Sequence, residues 1–349
     1  MKIGLLSRWN ATCGISLHAE LIGFEFIKMG HNLKVFAPTI ESASKWWHHK
    51  VIRNKDEDFV TRCYSEIDPT LKNNGWIDVD KILFEDLDFL IVESYASIPY
   101  NHVEKLVRLL KEKRKIPVIA VIHESFKEQI KYSNPKIFDA IVVFDERYIA
   151  EVVPECKDIC KIIPYPCYPV KKGKRKFAED VLTFFSFGRQ PIIEYQGYIE
   201  VLDNLSEKYD FVYKVVRTNG LLPVERPWLN QEMRRLASID EIYSLLHSSD
   251  IHLLPKGQTN GVVVSSTLFQ CLGSLVPIVA PETRHFEVPK RRKPLVTYKN
   301  LEDLEEKLIR LIEDRRYRNE LKRLAKSYVE RNRCDKIAKK FIKIFKEFK

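Results

Sequence analysis

The segment from Ile239 to Pro281 restricts the folds open to this chain more than any other. It reads as an amphipathic helix (IDEIYSLLH), a buried apolar strand (IHLL) and a loop ending in Ser265, Ser266 and Thr267. A second apolar helix (LFQCL) and a second buried strand (VPIVAP) follow. Near-continuous Val, Ile and Leu over strand length is what strands covered on both faces require, so the segment belongs to a parallel sheet with helical crossovers. The start of the second helix offers free backbone N–H groups and the positive end of the helix dipole, an arrangement suited to a phosphate. The hydroxyls of Ser265, Ser266 and Thr267 serve equally as helix caps or as phosphate ligands.

Strand and helix alternate in the same way through the rest of the chain, in two sets. The first set contains the strands MKIGLLS, LKVFAP, DFLIVES, IPVIAVIHES and AIVVFD and closes with KIIPYP. Between them lie a helix over Leu17 to Met29 that stops at Gly30, the helix NHVEKLVRLLKEKR and the shorter segment SFKEQIKY. The stretch PCYPVKKGKRKFAED combines Pro, Gly and basic residues and reads as a linker. VLTFFSFGR then opens a second set with the helix YQGYIEVLDNLSEKY and the strand FVYKVV, and LEDLEEKLIRLIEDRRYRNELKRLAKSYVE is predicted helical almost throughout. In the last helix Ile337, Phe341, Phe345 and Phe348 share one face, with Ile344 beside it.

The net charge is +10, and it is concentrated in the tail. Lys290 to Lys349 carries 21 Lys or Arg against 10 Asp or Glu, a balance of +11. Such a surface attracts anionic membranes or phosphorylated ligands. Nucleic acid would also be attracted, but no recognition motif supports it, and none is expected as a partner. No apolar run reaches the ~20 residues of a membrane span, and the N-terminus lacks the pattern of a signal peptide, so a cytoplasmic protein is expected, with peripheral contact to an anionic membrane. Seven cysteines without paired spacing support neither a disulfide framework nor a zinc site, and no metal is expected.

The Ile239 to Pro281 segment resembles the donor-sugar half of retaining glycosyltransferases of family four, in which a strand ending in Leu-Pro-Ser is followed by Leu-x-Glu-x-x-Ala-x-Gly-x-Pro-Val. Other stretches match in order. CGISLHAELIGFEFIKMGHNLKVFAP is similar to that family's opening glycine loop, helix and Gly-His-x-Val strand. VIAVIHES resembles its Thr-Val-His-Asp strand end, KIIPYPC its Ile-Pro-Asn-Gly turn and FFSFGRQPIIEYQG its Val-Gly-Arg … Lys-Gly segment. The resemblance implies an α/β protein of the GT-B fold: two facing Rossmann-like domains with parallel sheets and a C-terminal helix crossing back to the first domain. The expected boundaries are an acceptor-side domain over 1–168, a nucleotide-sugar donor domain over 169–334 and the returning helix over 335–349.

The implied activity is transfer of a sugar from a nucleotide diphosphate sugar to a hydroxyl of a glycan, a lipid-linked acceptor or a small molecule. Transfer is expected to be retaining and metal-independent, with no cofactor beyond the donor itself. His123, at the carboxyl end of a buried strand, and Arg189, whose planar fork suits a diphosphate, are the expected catalytic residues. Gly14, Lys256, Ser265, Ser266, Thr267 and Gln270 are expected to bind the donor, and Glu124, Trp46 and Trp47 the acceptor. Gln270 stands where the resembled family has Glu, and Gln196 where it has Lys, with Lys256 as a substitute cation. Two alternatives stay open: a sugar-nucleotide or glycan binding protein with weak catalysis, and a sugar-nucleotide 2-epimerase, for which no convincing carboxylate pair near His123 is evident in the sequence.

Overall fold

The computed structural model describes every residue except 46–49, 69–72, 237, 290 and 349. Trp46 and Trp47 therefore lie outside the described residues. The chain divides into two compact units. The first comprises Met1–Pro166, Gly261–Ser266 and Asn332–Lys349, and the second Cys167–Asn260 and Thr267–Arg331.

The first unit begins with β1 (Lys2–Leu6), α1 (Gly14–Lys28), β2 (Asn32–Pro38), α2 (Ile40–Lys45), β3 (Val60–Ser65), β4 (Trp76–Ile77) and α3 (Asp80–Leu83). It continues with β5 (Phe89–Ser94), α4 (Tyr100–Leu109), β6 (Val118–Ile122), β7 (Ala140–Val143) and β8 (Cys160–Ile162). These strands form one sheet in the order β4-β3-β2-β1-β5-β6-β7-β8, parallel except for the edge pair β3 and β4. All six residues of β5 are buried, as a central strand covered on both faces must be. In such a sheet the crossover direction reverses at one point, here between β1 and β5, and ligands gather outside the carboxyl ends of the strands at that point.

The second unit contains β9 (Leu182–Gly188), α5 (Ile193–Leu205), β10 (Phe211–Arg217), β11 (Leu229–Met233), α6 (Ile239–His247), β12 (Ile251–Leu253) and α7 (Ser266–Cys271), whose first residue groups with the first unit. After them come β13 (Ile278–Pro281), β14 (Val296–Tyr298), α8 (Leu301–Glu313) and α9 (Arg315–Asn332). The sheet is wholly parallel in the order β11-β10-β9-β12-β13-β14, with its switch point between β9 and β12. Its core is aromatic and aliphatic, with Phe184, Tyr198, Tyr213, Leu253, Leu304 and Leu308 all fully buried.

The last helix, α10 (Cys334–Glu347), belongs to the first unit and packs on α1. Phe345 stacks on Phe89 with ring centroids 4.4 Å apart, and Phe341 meets Phe26 edge-on at 6.4 Å. Ile337, Phe341, Ile344 and Phe345 are buried there. Phe348, expected on the same stripe, lies beyond the last helical turn and is 37% exposed. The stretch 301–330, predicted helical almost throughout, is helical except at Asp314, whose carboxylate accepts from the Tyr317 N–H and restarts the chain as α9. In SFKEQIKY only the single turn Lys127–Gln129 is helical, because the Gln129 side chain accepts from the N–H groups of Ser125 and Phe126.

Candidate functional site

Charged and polar side chains collect at the carboxyl ends of the strands flanking the first switch point. His18 comes from the inner face of α1, Glu93 from the end of β5 and His123 from just after β6. The Glu93 carboxylate bridges both imidazoles, with Oε1 2.8 Å from His18 Nδ1 and Oε2 2.5 Å from His123 Nε2. His18 and Glu93 are fully buried. Burial alone would raise the Glu93 pKa, but the two histidines overcome it and hold the carboxyl down to about 2. His123 is held below its ordinary 6.5, chiefly by burial, against the opposing pull of Glu93. An ionised carboxylate only accepts hydrogen bonds, so His18 Nδ1 and His123 Nε2 both carry protons. His18 Nε2 is then left without a partner among the described residues, enclosed by Phe144, Tyr165 and Phe341.

The ligand atoms of His18, Glu93 and His123 lie within 4.8 Å of one another, a donor set of the kind zinc accepts. The same carboxylate oxygens accept hydrogen bonds from the two imidazoles. No convincing carboxylate pair near His123 was evident in the sequence, and the structure adds Glu93 as a direct partner of that imidazole. Glu93 lies 75 and 30 residues from its two partners, and no local spacing exposes such a cluster. One signal was present in the sequence. A charged residue inside an otherwise apolar strand has to be paired once the strand is buried.

Glu124 is not turned outward as an acceptor contact would be. It is 2% exposed, and its carboxylate accepts from the Ser94 hydroxyl at 2.6 Å and the Tyr100 hydroxyl at 2.7 Å. Burial raises its pKa. Its contacts tie β5, β6 and α4 together beneath His123. Gly14 opens α1, with Cys13 as the cap. A Cβ on Gly14 would stand 3.0 Å from the Ser266 hydroxyl oxygen, so the missing side chain makes room for Ser266. The stretch Gly261–Ser266 is held to the first unit through the Val262 N–H to the Ser125 carbonyl (2.8 Å) and Arg147 to the Val263 carbonyl (3.1 Å). Ser265 is buried and Ser266 half-buried at the first residue of α7.

In the second unit Arg189 follows β9 and Lys256 follows β12, the two strands that flank that sheet's switch point. They lie close enough to repel each other. Burial pushes the Lys256 ammonium below its ordinary 10.5, Glu194 opposes this and Arg189 adds to it. Burial also raises Glu194, which sequence reasoning passed over. Its Oε2 is buried with no hydrogen-bond partner among the described residues. Glu194 and Lys256 thus act on each other, and the planar fork of Arg189 is of the kind that suits a diphosphate. Thr267 and Gln270 are half-buried on α7, and Tyr243 donates its hydroxyl to the Gln270 carbonyl at 3.0 Å. Gln196 is exposed on α5.

Two doubly wound α/β units, with a C-terminal helix belonging to the first, define the GT-B fold of glycosyltransferases. No family model matches the chain. Among solved structures, the chain is similar to a glycosyltransferase from Rickettsia africae ESF-5, with a TM-score of 0.65 at 13% identity over 99% of this chain and 98% of that one. An α-glucosyltransferase in complex with UDP and a 13-mer DNA gives 0.69 at 13% identity, covering 99% and 100%. HepE of Anabaena, in complex with UDP and glucose, gives 0.65 at 11% identity over the same shares. At these identities the likeness shows the fold. All seven cysteines are free. No helix among the described residues is long and apolar enough to cross a membrane.

Proposed function

We propose that this chain transfers a sugar from a nucleoside diphosphate sugar to an acceptor hydroxyl, with retention at the anomeric carbon and without a metal ion. The observation that carries this reading is that Arg189 and Lys256 follow β9 and β12, the two strands flanking the switch point of the second sheet, where a parallel α/β unit offers its ligand crevice. In the reaction the bond from the anomeric carbon to the diphosphate oxygen breaks and a bond to the acceptor oxygen forms. Charge developing on the leaving diphosphate is met by Arg189 and Lys256, assisted by Thr267 and by Ser265 and Ser266. Groups held in place before a reaction lower its barrier by such electrostatic stabilisation. His123, oriented by Glu93, serves the donor sugar, and Gln270 keeps an acceptor oxygen for a ribose hydroxyl. Solved proteins of this fold that hold UDP support a nucleotide-sugar donor. The basic surface of α9 and α10 supports peripheral contact with an anionic membrane.

The binding-protein reading is favoured by two residues, exposed Gln196 and neutral Gln270, which weaken the charge on a bound nucleotide. The epimerase reading gains a carboxylate near His123, but both oxygens of Glu93 are occupied by imidazoles, leaving no free base. The test is a thermal-shift screen of UDP-, GDP-, ADP- and dTDP-sugars, followed by nucleotide release in EDTA with and without mixed glycan and lipid acceptors. Acceptor-dependent release in EDTA supports the transferase. Release of free 2-epimer supports the epimerase, and binding without turnover, unchanged by Gln270→Glu, supports the binding protein.

A further inference from the structure

The first unit holds a cavity of about 280 Å³ at the carboxyl ends of β2 and β3, with none of His18, Glu93 and His123 in its lining. Among the described residues it is lined by Thr39, Glu41, Ser42, Glu66, Asp68 and Trp76, together with Ser65, Ile67 and Asn73. Its size falls just below the about 300–1,000 Å³ usual for small-molecule sites, which suits one sugar ring.

The floor is a buried ion pair. Arg8, from the end of β1, donates from Nε and Nη2 to Glu66 at 2.5 and 3.0 Å, and Tyr95 donates its hydroxyl to the same carboxylate at 2.8 Å. Arg8 is 3% and Glu66 2% exposed, and replacing such a pair by apolar residues is often neutral or stabilising, so packing alone does not call for it. The wall is Trp76 on the edge strand β4, 44% exposed. The chain reaches it through Gly75, whose φ is 69° and where a Cβ would stand 2.7 Å from the Ser65 carbonyl oxygen, so a side chain is excluded. An exposed indole beside carboxylates, hydroxyls and an amide matches a ligand with one apolar face and a rim of hydroxyls. Among the described lining residues Glu41, Glu66 and Asp68 are carboxylates, of which Arg8 offsets Glu66, a balance that disfavours phosphates and carboxylates.

We propose that this cavity binds a neutral or amine-bearing sugar ring, stacked on Trp76 with its hydroxyls on Asp68, Asn73 and Ser42, and that it is where the acceptor is held. The acceptor role rests on the transferase reading above; the binding itself does not. The experiment is saturation-transfer NMR with methyl glycosides of the gluco, galacto and manno series, methyl glucosaminide and glucose 6-phosphate. It uses the full chain, Trp76→Ala, Trp76→Phe and Asp68→Asn, with UDP-sugar thermal shift measured in parallel. The expected result is that at least one neutral or amino glycoside binds, that Trp76→Ala weakens it about tenfold and that Trp76→Phe restores part of the loss. Glucose 6-phosphate should bind only when Asp68 is Asn, or not at all. The absence of any Trp76-dependent glycoside, or preferential binding of the phosphate to the wild type, overturns the proposal. Failure of the wild type to bind any UDP-sugar while it still binds a glycoside would instead count against the transferase reading, and donor binding in Trp76→Ala equal to that of the wild type confirms that the variant is folded.

Discussion

Glu93 and His123 meet at 2.5 Å across the carboxyl ends of two neighbouring strands, β5 and β6, with the second carboxylate oxygen held by His18 at 2.8 Å. The carboxylate dictates that His123 carries its proton on Nε2, leaving Nδ1 as the lone pair. A residue that does not itself reach solvent thus decides what His123 presents.

Glu93→Gln separates this positioning role from a structural one. An amide offers one donor and one acceptor, so it can keep only one of the two imidazoles in its present tautomer. Turnover is expected to fall by about 10²-fold, the lower end of the range for a general acid or base, while donor affinity changes little. Imidazole ¹⁵N NMR should show the altered His123 tautomer. Unchanged ¹⁵N shifts with unchanged turnover would remove Glu93 from the mechanism.

Arg189→Ala should weaken binding of a nucleoside diphosphate by roughly 1.5 to 3 kcal/mol and leave the nucleoside itself unaffected, since the lost contact is charge-assisted and directed at phosphate. Lys256→Met should behave in the same way. It should also abolish a decline in affinity on the alkaline side, because the buried ammonium loses its proton below the usual 10.5. Calorimetry on UDP and uridine, or on the pair that binds, measures both. Equal losses for the two ligands would show that these cations do not face the diphosphate.

His252 reports on stability against pH. It is fully buried on β12, donates Nδ1–H to the Phe185 carbonyl at 3.0 Å, and burial lowers its pKa from 6.5 to about 4. Between these values the unfolded chain takes up a proton that the folded chain refuses, so stability drops as pH falls from 6.5 to 4. The full window is worth up to about 3 kcal/mol at 1.36 kcal/mol per unit. His252→Phe should flatten that part of the curve in urea titrations. An identical slope in both proteins would assign the acid sensitivity to other groups.

Phe345→Ala should cost about 3 to 5 kcal/mol, because the ring is fully buried and stacked on Phe89. Phe348→Ala should cost less than about 0.5 kcal/mol, as exposed positions usually do. Denaturant midpoints distinguish the two. If Phe345→Ala melts normally but loses binding to anionic vesicles, α10 uses its apolar face on lipid and not on α1.

Several parts of this protein follow from the sequence alone. Val- and Ile-rich runs of strand length identify β1, β2, β5, β6, β7, β9, β10, β12 and β13, since only a strand covered on both faces tolerates such composition. The position of Arg189 and Lys256 after two of those strands was legible for the same reason, because a parallel sheet presents its ligand edge at strand ends. Strand order was not legible. Hydrogen bonding between strands far apart in sequence places β5 beside β1, and that choice brings His18, Glu93 and His123 together. Residues beyond the periodic runs were missed too: the edge strands β3 and β4, the Arg8 and Glu66 pair beneath their cavity, and the break at Asp314. Periodicity records which face of an element is buried, whereas the partner across that face is selected by packing and by the pairing of buried charges. The fold class was therefore set locally, and the cluster around Glu93 and the cavity beside Trp76 exist only once the sheet has assembled.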